Sequence, residues 1–70
     1  MAYKPKKRSL TIAGHRTSIS LEDDFWDALN DVAKAQDKSV PLLIAEIDAS
    51  RGQSGLSSAI RSVILAHYRD

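Results

Sequence analysis

The run "RSLTIAGHRTSISL", from Arg8 to Leu21, holds two short alternating apolar stretches separated by "AGHR". Its parity restricts the fold more than any other feature of the chain. Side chains alternate faces along a strand, so one straight strand would put Leu10 and Ile12 on one face and Ile19 and Leu21 on the other, exposing one apolar set. A two-residue turn at Gly14 and His15 removes the conflict. It pairs Ala13 with Arg16, Ile12 with Thr17, Thr11 with Ser18 and Leu10 with Ile19. Leu10, Ile12, Thr17, Ile19 and Leu21 then share one face, and Ser9, Thr11, Ala13, Arg16, Ser18 and Ser20 share the polar one. Glycine at the first turn position suits a type II′ hairpin. A bulge at Gly14 is the second reading.

Helical periods follow. In "LEDDFWDALNDVAKAQDKS" the residues Phe25, Ala28, Leu29, Val32 and Ala33 form one stripe, which predicts a helix from about Glu22 to Gln36. Ser20 and Asp23 have capping-box spacing, and the early acids suit the positive end of the helix dipole. Trp26 lies off the stripe and is expected in the seam with a third helix. "KSVPLLIAEIDAS" predicts a second helix with Ser39 as N-cap and Pro41 in the first turn, where a missing N–H is harmless. "RGQSG" interrupts the pattern with two glycines. "LSSAIRSVILAHYRD" then predicts a third helix over about 57–69, with Ile60, Val63, Ile64 and His67 on its stripe.

Seventy residues make one small domain, and a core of that size rarely supplies more than roughly 3–5 kcal/mol unaided. With no cysteine and no metal-binding cluster in the sequence, a second copy of the chain is the expected source of extra stability. No apolar run approaches the roughly 20 residues that span a bilayer, and no signal-peptide core follows the basic N-terminus. The expectation is a soluble cytoplasmic chain without a membrane association. The net charge of +1 conceals a segregation. Lys4, Lys6, Lys7, Arg8 and Arg16 precede any acid, whereas residues 17–48 carry eight acids against Lys34 and Lys38. A polyanion would meet the N-terminal end. Residues 1–7 are expected to form a disordered basic arm, and 8–70 a single domain.

The strand "RTSISL", the first helix and "SVPLLIAEI", in that order and at those short spacings, resemble the ribbon-helix-helix family. The run "KRSLTIAGHRTSISLEDDFW" with "LSSAIR" further on is similar to a bacterial ribbon-helix-helix domain subfamily of small proteins. The resemblance implies an α+β fold, an N-terminal strand or hairpin followed by helices, in an obligate dimer whose strands pair into a ribbon. It implies DNA binding in the major groove, with Arg16, Ser18 and Ser20 facing bases. Arg16 is the credible guanine reader, because its fork can bond two acceptors at once. A phosphate anchor at the start of the second helix maps to Ser39, Val40 and Pro41, with Lys38 adding charge. Lys6, Lys7 and Arg8 are the expected DNA-backbone contacts. One geometric difficulty attends the hairpin: four strands at about 4.8 Å spacing span roughly 14 Å, against a groove of roughly 12 Å.

Enzymatic chemistry has no support in the residues. There is no glycine-rich phosphate loop, no metal-ligand spacing and no base beside the serines, and no cofactor is implied. The row Asp23, Asp27, Asp31 reads as a solvated helix face, His15 as a surface turn residue and His67 as a packed one. The primary expectation is a dimeric DNA-binding transcriptional regulator. The competing one is a protein-interaction module, an adaptor or antitoxin-like partner, in which the third helix offers a dimer, tetramer or docking surface.

Overall fold

The computed structural model describes residues 4–69; Met1, Ala2 and Tyr3 of the expected arm and the final Asp70 lie outside them. The order is β1 (Lys6–Ile12), β2 (His15–Leu21), α1 (Asp23–Ala35), α2 (Val40–Ser50) and α3 (Leu56–Arg69). β1 and β2 form a two-stranded antiparallel sheet, so the hairpin reading holds, and three helices follow it as expected.

The turn is one residue earlier than expected. Ile12 pairs with His15, Thr11 with Arg16, Leu10 with Thr17, Ser9 with Ser18, Arg8 with Ile19, Lys7 with Ser20 and Lys6 with Leu21. Ala13 and Gly14 are therefore the turn residues, both left-handed at φ 51° and 84°. That is the type I′ geometry, with glycine second, whose twist matches that of the flanking strands. Every pairing moves by two positions from the expected register, and a shift of two leaves each side chain on its expected face. Ile12, Ile19 and Leu21 are accordingly buried. Lys6 and Lys7, expected in a disordered arm, begin β1 instead.

Glu22 starts α1 in extended backbone and makes no side-chain cap. The Ser20–Asp23 capping box is not formed, because Ser20 is still in β2, paired with Lys7. At the other end Asp37 is left-handed, its N–H donates to the Lys34 carbonyl at 3.0 Å and the Lys38 N–H donates to that of Ala33 at 2.9 Å. This paired C-terminal closure turns the chain sharply into α2. Ser39 caps α2 as expected, its Oγ accepting from the Leu42 N–H at 3.2 Å.

The apolar faces meet in one cluster that includes Ile19, Leu21, Leu29, Val32, Ile44, Ile60 and Ile64. Each side chain in it is buried by the same chain, with no buried polar side chain left without a partner among the described residues. Two aromatic and histidine positions differ from expectation. Trp26 is buried, 3% exposed, but under β1 rather than against α3: its indole N–H donates to the Lys6 carbonyl at 2.9 Å. Phe25 takes the α3 side instead, where the Arg61 guanidinium lies 5.6 Å from its ring. His67 is exposed, and Ile64 is the last buried residue among the described residues of α3; His67 packs edge-on against Tyr68.

Candidate nucleic-acid interface

The pairing register decides which side chains share the outer face of the hairpin. β1 contributes Lys7, Ser9 and Thr11, and β2 contributes Arg16, Ser18 and Ser20. Thr11 sits opposite Arg16, and Lys7 opposite Ser20. Ser9 and Ser18 meet between them with their hydroxyls 3.4 Å apart. All but the partly buried Ser20 are exposed. The result is a small plate of hydroxyls with a cation at each of two diagonal corners. Neither Lys7 nor Arg16 is in an ion pair among the described residues.

Lys6 and Arg8 belong to the opposite parity. Their side chains project to the inner side, and both are engaged there: Lys6 Nζ lies 3.3 Å from an Asp23 carboxylate oxygen, and the Arg8 guanidinium lies 4.8 Å from the centre of the Trp26 ring. Alternation separates the basic run "KKR" into one outward lysine and two residues that fasten β1 to α1. The same alternation, extended two residues back along β1, marks Lys7 as a member of the outer face, a placement that reading 1–7 as an arm obscured.

The start of α2 holds little that a phosphate could use. The Leu42 N–H is taken by Ser39 Oγ, Pro41 has no N–H, and Lys38 Nζ is paired with Glu46. The Val40 N–H is the donor that remains in this turn. The structure therefore puts Lys38, Ser39 and Val40 together but directs two of the three to contacts within α2.

The long edge of β2 is open. With Ile12 and His15 closing the turn as a hydrogen-bonded pair, alternate residues of β2 face β1, and the backbone groups of Arg16, Ser18 and Ser20 point away from it. Beside that edge runs a polar groove whose lining includes Thr17, Ser18, Asp48, Arg51 and Ser57. Further along, Arg61 bonds Glu22 through Nε at 3.2 Å and Nη2 at 2.9 Å. The Glu22 carboxyl is held below the usual carboxylate range, first by its own backbone N–H and then by Arg61, against a smaller opposing effect of burial. No group of three or more potential metal ligands occurs among the described residues, nor any helix long and apolar enough to cross a membrane.

A short antiparallel ribbon with a polar, cationic outer face, carried on a helical layer, defines a strand-presenting domain of α+β class. The description "Ribbon-helix-helix domain" matches residues 5–68, and the chain belongs to that family. The family is a non-enzymatic fold whose members typically dimerise, commonly bind DNA and regulate transcription. No curated protein matches the chain, and no solved structure does.

Proposed function

We propose that this protein is a DNA-binding transcriptional regulator that works as a dimer through its paired β2 strands. The observation that carries the reading is the outer face of the hairpin, where Arg16 and Lys7 stand free among hydroxyls while Lys6 and Arg8 are held beneath. A second β2 added antiparallel to the open edge would bond to the outward groups of Arg16, Ser18 and Ser20 and give the order β1-β2-β2′-β1′.

Such a sheet is about 14 Å across, slightly wider than the major groove of about 12 Å. It therefore straddles the groove. The two central strands lie over the base edges, while each β1 runs about 7 Å from the axis, above the phosphates that form the groove walls. Serine is too short to reach base edges from that height. Arg16 becomes the base reader, suited to guanine O6 and N7, and Ser18 and Ser20 lie on the same face without reaching the bases. Lys7, with Ser9 and Thr11, takes the phosphates on either side. Lys6, Arg8 and Lys38 contribute long-range charge rather than contacts.

Fluorescence anisotropy with mixed-sequence and selected duplexes at several salt concentrations tests this. Arg16→Ala should lose about 1–3 kcal/mol of binding on a preferred sequence and relax base preference. Lys7→Ala should weaken all sequences alike and reduce the salt slope by about 0.9 for each phosphate that is no longer neutralised. No binding by the wild type at low salt, or equal affinity for wild type and both variants, would refute the proposal.

A further inference from the structure

The described residues include three exposed large apolar side chains, Leu42, Leu65 and Tyr68, and the last two, 55% and 56% exposed, border one groove. The groove lies between the first turn of α1 and the second half of α3, has a volume of about 270 Å³ and is lined by Phe25, Arg61, Ser62, Ile64, Leu65 and Tyr68. Apolar surface dominates it, and Arg61, its one cation, is already bonded to Glu22.

Charge identifies what covers it. At 100° per residue, Ala28, Asp24 and Asp31 follow Phe25 around α1 on the side away from Trp26, so two acids lie on the exposed flank of α1 next to Phe25, outside the lining of the groove itself. Both are exposed and in no ion pair among the described residues. The described residues of α3 include no acid at all, and Arg69 stands one turn beyond Leu65 on the same flank. The ridge Leu65–Tyr68–Arg69 is the chemical complement of Phe25 and the acidic flank of α1 beside it.

We infer that this groove is a second self-association surface, occupied by α3 of another copy of the chain about a two-fold axis. Leu65 and Tyr68 of each copy enter the groove of the other, Arg69 meets Asp24 and Asp31, and small Ala28 and Ser62 permit close approach. This interface is separate from the β2 edge, and with the two two-fold axes crossing at right angles the pair of interfaces closes a tetramer of two ribbon dimers.

Sedimentation velocity on the full chain, over a wide concentration range, separates the two surfaces. The Ser18 N–H faces the open edge, so Ser18→Pro spares the hairpin while blocking a partner strand. Circular dichroism of each variant confirms that the fold is retained. Ser18→Pro should still form a dimer, Leu65→Glu should stop at a dimer where the wild type reaches a tetramer, and the double variant should be a monomer. Asp24→Arg or Arg69→Asp alone should weaken the α3 contact roughly twofold to tenfold, and the pair together should restore it. A wild type that stays a dimer and is unchanged by Leu65→Glu would overturn the inference and leave the strand-paired DNA-binding dimer standing. A monomeric Ser18→Pro would overturn it equally.

Discussion

Replacing Trp26 by phenylalanine should loosen β1 while leaving the helical core assembled. The indole donates to the Lys6 carbonyl at 2.9 Å, a contact whose net worth is about 1 kcal/mol. The Arg8 guanidinium 4.8 Å from the ring adds about 0.5–1 kcal/mol at an exposed site, part of which phenylalanine retains. The smaller ring also leaves some space under β1. Together the loss is about 2 kcal/mol, some thirtyfold in the folding equilibrium, against the roughly 3–5 kcal/mol available to a core of this size. Urea unfolding followed by tryptophan-independent circular dichroism gives the global value. Hydrogen exchange locates it: the Arg8 and Leu10 amides, which face β2 in the register, should lose protection more than amides of Leu29 and Ile44. A cycle with Arg8→Met should show a coupling below about 0.5 kcal/mol, the part of the cation–π contact that phenylalanine does not retain. A loss below about 0.5 kcal/mol, with β1 protection unchanged, would refute the claim that this tryptophan fastens the strand.

Ala13 holds φ 51°, a region that disfavours alanine and suits asparagine, so Ala13→Asn before Gly14 should stabilise the turn by about 0.5–1 kcal/mol, visible as a rise in Tm; a fall would contradict the type I′ assignment. Glu22 is held below the usual carboxylate range, so its contribution is complete above that range and is lost as pH falls through its lowered folded value. Glu22→Gln should therefore be less stable than wild type at neutral pH and converge with it on acidification, measured by melts across pH. A gap independent of pH would show that the Arg61 pairing is not its source.

Parity alone located the two faces of the hairpin, because an error of two positions in register returns every side chain to the same side. It did not locate the turn. Glycine satisfies the first position of one hairpin turn and the second of another, and "AGHR" accommodates both. Composition misdirected the reading of "KPKKR": a charge run suggests a solvated arm, but once the strand begins at Lys6, alternation sends Lys6 and Arg8 beneath it and Lys7 above. Trp26 lies under β1 rather than in the expected seam with α3 because a residue beside the apolar stripe of a helix is covered by whichever element crosses there, and crossing angles are not written in a helical period. The helix starts show the same split. Ser39 was legible as a cap from its own neighbours, yet that cap bond is what removes a donor from the phosphate anchor the family resemblance implied. His67 followed the stripe of α3 past the point where the core ends.

The apolar cluster is completed within one chain, and this bears on how the proposed dimeric regulator would respond to its own abundance. Were the protomer to fold before it pairs, it would exist alone when scarce, and the proposed paired form would accumulate with the second power of concentration. Occupancy of a binding site would rise with a threshold rather than in proportion to expression, and subunits could be exchanged between pairs without unfolding.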